Sequence, residues 1–220
     1  MKLTIVAATG AIGRLVLERA VDAGHEVTAV VRSPARLTRA VPAIAADLLT
    51  ADPEELEPAL VGADAVLSGL GPQSTSDAGI ASRGTRTLVT AMRRTGVERI
   101  VVVSAAPVGT VATPRRPDPP RHDPGDGFFM RHVASPLVGR LLRKVYVDLA
   151  EMEDILRDSG LQWTAVRPPR LTNRPLGSYR TAFGRNIRGG AFASRADVAD
   201  YMLRALELPE SVGQTVGIAS

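Results

Sequence analysis

Residues 2–8, KLTIVAA, run straight into a glycine turn, TGAIG, and then into RLVLERAVDAG. The first stretch is short, apolar and β-branched, and reads as a buried strand. The last places Ile12, Leu15, Val16 and Ala20 at helical spacing, with Gly24 as a stop. A strand that turns through glycines into an amphipathic helix is the opening half of a βαβ unit, and the chain repeats the alternation. HEVTAVVR (25–32) reads as a second strand. SPARLTRA (33–40) reads as a helix with Ser33 at its N-cap and Pro34 at its first position. AIAAD (43–47) is a third strand, and DPEELEPALVG (52–62) a helix whose cap, Asp52, is again followed by proline. DAVLSGLG (64–71) is a fourth strand ending in glycines. Residues 77–96 form a long helix closed by Gly96, and VERIVVVSA (97–105) is a fifth strand.

This succession predicts an α/β protein with a doubly wound parallel sheet, a Rossmann-type architecture in a single domain over residues 1–220. Right-handed crossovers bring the carboxyl ends of strands one, four and five together, and ligands bind outside those ends. Hydrophobic residues make up 45% of the chain and aromatic residues only 4%, so the core is mainly Val, Leu, Ile and Ala. Such a core suits a parallel sheet covered by helices. The formal charge is +4, but the arginines are scattered, without a run of five like charges or an interleaved aromatic ladder. Nucleic acid is therefore not the expected partner. The absence of cysteine excludes disulfides, thiolate nucleophiles and cysteine-based zinc sites. No segment approaches the roughly 20 apolar residues of a membrane span. A soluble, cytoplasmic protein acting on a small molecule, away from membranes, is the expectation; the oligomeric state is left open.

The glycine turn after strand one carries the first chemical signal. Gly10 and Gly13 let backbone approach an anion closely, and the amides that open the next helix face it. Thr9, Gly10, Ala11, Ile12 and Gly13 are the expected pyrophosphate ligands. Ala7 stands where such turns usually begin with glycine, which is tolerable if φ stays negative there, as at the last residue of a strand. The end of strand two selects the cofactor. A carboxylate there would hold a ribose 2′-hydroxyl and favour NAD, but the sequence reads Val30–Val31–Arg32. Arg32, with Arg36 a turn on, suits a 2′-phosphate and points to NADP(H). Asp47 either meets the adenine amino group or caps its own turn, and Leu48 would flank the ring. Gly69, Leu70 and Gly71 let the cofactor pass close to backbone after strand four.

Regularity breaks at Pro107. Six prolines fall between Pro107 and Pro124, and residues 107–146 read as a lid or substrate-side segment. Within it Phe128 and Phe129 either wall the substrate site or pack the lid onto the body, and His132 is either a proton donor to substrate or a solvated loop histidine. Alternation resumes with VDLAEMEDILRDSG (147–160), a helix with Leu149, Met152, Ile155 and Leu156 on one face. Asp148, Glu151, Glu153 and Asp154 read as its solvated face. LQWTAVRPP (161–169) is a sixth strand, Ser194 caps a last helix, and QTVGIA (214–219) is a final strand. His25, His122 and His132 have no metal-ligand spacing, so no metal site is expected.

With these pieces placed, the chain resembles the atypical short-chain dehydrogenase/reductase superfamily. More narrowly it resembles the small NAD(P)H-binding proteins that include the biliverdin-IXβ/flavin reductases and the NmrA-like proteins. AATGAIG (7–13), VVRSPARL (30–37), AADL (45–48), DAVLSGLG (64–71), RIVVVSA (99–105), DILRDSGLQWTAVRPPRL (154–171) and SRADVA (194–199) carry the likeness. The resemblance implies pyrophosphate binding by residues 9–13 and 2′-phosphate binding by Arg32 and Arg36. It implies a place beside the nicotinamide for Ser104, the candidate catalytic residue, and nicotinamide contacts for Pro168 and Pro169. SRADVA looks structural. A Tyr-x-x-x-Lys pair is missing: Tyr146 is followed four places on by Ala150. Alcohol–ketone chemistry through a tyrosine of lowered pKa is therefore not implied. Two functions fit. One is an NADPH-dependent reductase of a small planar acceptor such as a flavin or quinone. The other is an NADP(H)-binding redox sensor without turnover.

Overall fold

The computed structural model describes residues 1–72, 77, 79–125 and 142–220. Phe128, Phe129 and His132 lie outside them. The sheet has eight strands in the order β3-β2-β1-β4-β5-β6-β10-β8. These are β1 (Lys2–Val6), β2 (Glu26–Val31), β3 (Ala43–Ala45), β4 (Ala65–Ser68), β5 (Arg99–Val103), β6 (Gln162–Arg167), β8 (Arg180–Phe183) and β10 (Gln214–Ala219). All neighbours pair parallel except β8, which runs antiparallel to β10. The order reverses between β1 and β4, the switch point at which such sheets open a crevice. A separate pair, β7 (Arg170–Thr172) and β9 (Phe192–Ser194), sits beyond β6.

Helices α1 (Gly13–Asp22) and α5 (Arg195–Arg204) cover one face, and α2 (Pro53–Leu60), α3 (Ile80–Thr95) and α4 (Arg143–Asp158) cover the other. Strand alternation divides the core in two. Leu3 and Ile5 pack toward α1 and α5, whereas Val6, Ile100 and Val102 pack toward α2–α4. Thr4, on the second face and fully buried, donates its hydroxyl to the Ala59 carbonyl near the end of α2. The helix starts follow their caps. Asp52 and Glu55 close a capping box on α2, and Ser194 and Asp197 close another on α5.

The structure corrects three expectations. Residues 33–40 form only a single 3₁₀ turn, Pro34–Arg36, and the Ser33 side chain makes no cap bond. The extended Leu37 ends the turn before a second can form. The proline-rich segment begins with ordered backbone, a 3₁₀ helix at Ala106–Thr110, and α4 starts at Arg143, inside the segment read as a lid. Two of the four acidic residues read as the solvated face of α4 are not solvated, while Glu151 is exposed as expected. Asp148 and Glu153 are buried, each by a specific set of donors.

Candidate functional site

The carboxyl ends of β1, β2, β4 and β5 border a cleft of about 780 Å³, the size of many ligand sites. Thr9, Gly10, Ala11 and Ile12 form one wall, and Arg32 and Arg36 one end. Asp47 and Leu48 after β3, and Gly69, Leu70 and Gly71 after β4, also line it. Ser104, at the end of β5, lines the other end with Val103, Ala105, Val145, Tyr146 and Leu149. Gly13 is behind the loop, and Pro168 and Pro169 are absent from the lining, which Leu171 and Arg195 reach instead.

The loop's geometry explains its glycines and corrects Ala7. The Ala7 amide still pairs with the Val30 carbonyl at 2.9 Å, but its φ is +58°. Among the described residues it is the sole non-glycine with positive φ. Its carbonyl turns into the loop, accepts the Gly10 amide at 2.8 Å, and lies 2.2 Å from where a Cβ on Gly13 would stand. Gly13 is thus required by the carbonyl in front of it. A Cβ on Gly69 would come within 2.9 Å of the Gly13 amide nitrogen, so the turns after β1 and β4 approach through two glycines. The chain has kept the tight turn with a residue that costs roughly 1–2 kcal/mol in this conformation.

Helix α1 opens on this turn with no side-chain cap and no acidic residue in its first turn. The Arg14 amide donates to the Gly10 carbonyl at 2.9 Å, and the positive end of the helix dipole is directed at the cleft without an acidic side chain to oppose it. The start of α3 is different: the Asp148 carboxylate accepts the Ala81 and Ser82 amides at 3.0 and 2.9 Å. Only the first of these helix ends is left for an outside anion. Arg32 and Arg36 are exposed, and among the described residues neither guanidinium has a hydrogen-bond or ion-pair partner. Asp47 caps its own turn, its side chain accepting the Leu49 amide at 3.1 Å. Leu48 and Leu70 are buried walls.

The opposite end is ruled by a buried ion cluster. Strand periodicity puts Ile100, Val102 and Ser104 on the α4 face, with Ala165 and Arg167 beside them on β6. Ser104 continues the ladder, its amide bonding the Val166 carbonyl at 2.7 Å. Glu153, wholly buried, reaches down from α4 between them. Arg167 donates to both its oxygens, Nε to Oε1 at 2.8 Å and Nη2 to Oε2 at 2.5 Å. Arg157 adds a bond to Oε2 at 2.8 Å, and the Ser104 hydroxyl is 2.7 Å from Oε1. Burial pushes the Glu153 carboxyl up, but Arg167, Ser104 and Arg157 outweigh it and hold the group below the usual carboxylate range. Tyr146 lines the same end, and its hydroxyl is without a hydrogen-bond partner among the described residues. Burial pushes its phenol up, so it stays protonated.

A family model described as NAD(P)H-binding matches residues 7–209. The chain belongs to this NAD(P)H-binding family. The fold is the Rossmann-type α/β fold of the solved structures that superpose on it. The family reading agrees with the glycine turn, the open end of α1 and the crevice at the switch point. The Bacillus subtilis protein YwnB, of uncharacterised function, is 25% identical over 235 residues, covering 100% of this chain and 99% of that one. The oxidoreductase YlbE of Lactococcus lactis superposes with a TM-score of 0.78 at 20% identity, over 100% of this chain and 91% of its own. A Streptococcus pneumoniae protein to which NADH-flavin reductase activity is ascribed gives 0.73 at 25% identity, over 100% and 99%. Among the described residues no helix is long and apolar enough to cross a membrane.

Of the residues expected from sequence, Thr9–Ile12, Arg32, Arg36, Asp47, Leu48, Gly69–Gly71 and Ser104 line the cleft, whereas Gly13, Pro168 and Pro169 do not, and Tyr146 and the Glu153 cluster were not expected. Tyr146 was noticed only for lacking a lysine, and Glu153 was assigned to solvent. A signal for Glu153 existed: it falls four residues after Leu149, in the stripe that Met152 and Leu156 continue.

Proposed function

We propose that the protein is an NADPH-dependent reductase of a small planar acceptor, a flavin, quinone or similar conjugated compound. The observation that carries the cofactor preference is the pair Arg32 and Arg36 at the end of β2, bordering the cleft without a carboxylate partner among the described residues. No acidic side chain stands at that strand end to receive a ribose hydroxyl, and two free guanidiniums suit a 2′-phosphate. Thr9 binds the pyrophosphate through its hydroxyl and Ala11 and Ile12 through backbone amides, Gly10 lets it approach, and Leu48 flanks the adenine side. A bound reduced nicotinamide supplies the hydride.

At the proposed acceptor end the apolar side chains Val103, Ala105, Val145, Leu149 and Leu171 line the cleft beside the polar groups Ser104 and Tyr146. This surroundings-and-position chemistry is what an electron-poor conjugated acceptor requires, since its proton comes from solvent. The flavin reductase activity ascribed to the pneumococcal relative supports this reading. That protein is named for NADH; the preference proposed here rests on the two arginines. The test is to titrate purified protein with NADPH and NADH, and then follow NADPH consumption with a panel of flavins and quinones. Tighter NADPH binding with acceptor-dependent turnover is the expected result. Binding without turnover on any acceptor would favour a redox sensor, the reading that the absence of a Tyr-x-x-x-Lys pair keeps in view.

A further inference from the structure

Ser104 is the polar group that β5 presents to the acceptor end of the cleft, and its hydroxyl has one proton to give. Its contact with Glu153 Oε1 is 2.7 Å, and the direction of that bond can be settled. Glu153 accepts three guanidinium N–H bonds, two from Arg167 and one from Arg157. A carboxylate so surrounded, with none of its surface exposed to water, is ionised and has no proton to donate. The proton between Ser104 and Glu153 is therefore the serine's. What Ser104 retains for the cleft is lone pairs.

We infer that Glu153 fixes Ser104 as a hydrogen-bond acceptor toward the cleft, so that the site selects a ligand presenting an N–H donor at this point. Glu153 is a positioning residue in this scheme, and Arg157 and Arg167 hold it in place. Ser104 neither protonates the acceptor nor polarises a carbonyl. Two ligands of the proposed reaction carry such a donor next to a carbonyl: the nicotinamide carboxamide, and the ring imide of a flavin. The assignment rests on the cleft holding a nicotinamide dinucleotide.

The discriminating probes keep the carbonyl and remove the N–H. For the cofactor, this is the reduced 3-acetylpyridine analogue of NADPH; for the acceptor, a flavin methylated at the imide nitrogen. Binding constants for the dinucleotides are measured by titration, and KM values for the flavins, in the wild type, Ser104→Ala and Glu153→Gln. In the wild type one of the two pairs should show a preference of about threefold to tenfold for the N–H form, the worth of one neutral hydrogen bond. Ser104→Ala should erase it. The pair that responds identifies the donor. In Glu153→Gln the new amide can donate to Ser104 and free its proton for the ligand, so the preference should shrink or reverse in favour of the carbonyl-only form. Should that variant not fold, Ser104→Ala still decides. No preference in either pair, or a preference that survives Ser104→Ala, overturns the assignment while leaving NADPH binding intact. Failure of the cofactor reading has a different signature, no binding of either dinucleotide, and removes the assignment with it.

Discussion

The two ends of the cleft use arginine in opposite ways. At the end of β2, the proposed adenosine end, Arg32 and Arg36 are exposed and without partners among the described residues. At the end of β5, the proposed acceptor end, Arg167 is buried, and with Arg157 it is spent on Glu153. A guanidinium without a carboxylate is available to a ligand and adds little to the fold. One sealed against a carboxylate is part of the fold and touches the ligand only through what it positions. Substitutions at the two ends should therefore separate stability from affinity.

The largest effect is expected at the sealed end. Glu153→Ala strands Arg167 in the interior without its counter-charge, a change that typically costs about 3–5 kcal/mol. Denaturant unfolding should show that loss, whereas Arg32→Ala should lie within about 0.5 kcal/mol of the wild type, as surface changes do. The same carboxyl gives a pH signature. Its folded value is below the ordinary 4.5, so its stabilising contribution is complete above that value and disappears as pH falls through the lower folded one. The wild type should lose stability on acidification below about pH 4.5 more steeply than Glu153→Gln. Parallel acid profiles for the two proteins would contradict the assigned charge state.

Next in size is the open end. Arg32→Glu should weaken NADPH binding by at least tenfold, since a single charge-assisted phosphate contact contributes about 1.5–3 kcal/mol. NADH binding should barely change. Equal losses for the two cofactors would remove the 2′-phosphate role from Arg32.

That open end was also the legible one. Its residues sit at strand ends and in a turn, where local sequence fixes position: the glycine spacing, the Arg32 register and the caps Asp52 and Ser194 all act within a few residues. The acceptor end is assembled from β5, α4 and β6, and no local pattern joins Ser104 to Glu153 and Arg167. Charge alone pointed Glu153 to water, because an unpaired carboxylate is rarely buried; its partners come from elsewhere in the chain. Strands β7, β8 and β9 went unread for a related reason. They are three or four residues long and gain their hydrogen bonds from distant strands rather than from a strong pattern of their own.

Ala7 is where the local reading failed on a local question. A last-strand residue was expected to keep negative φ, but the turn needs the Ala7 carbonyl aimed at the Gly10 amide, and φ is +58°. Ala7→Gly should therefore stabilise the protein. The gain from relieving the left-handed conformation is offset in part by the greater freedom of an unfolded glycine, leaving about 0.5–1 kcal/mol. Because the loop geometry is unchanged, NADPH affinity should stay within about twofold. A destabilised Ala7→Gly protein would mean that the strain is not located at this residue.

The smallest effect is expected at Tyr146, and its smallness is the point. The phenol lines the acceptor end, has no hydrogen-bond partner among the described residues and is pushed above its ordinary value by burial. An acid tuned for proton transfer near neutrality needs the reverse, a neighbouring cation that lowers it, and Ala150 supplies none. With Ser104 committed to Glu153, neither hydroxyl at this end is arranged to drive protonation. Tyr146→Phe should accordingly lower flavin or quinone turnover by less than about tenfold, well short of the 10²–10⁴-fold that general acid catalysis contributes. The effect should fall on KM more than on kcat, because what is lost is a contact and not a proton. A drop of a hundredfold or more in kcat, with KM unchanged, would make Tyr146 the proton donor. It would also place the chemistry of this cleft closer to carbonyl reduction than to the reduction of a conjugated ring.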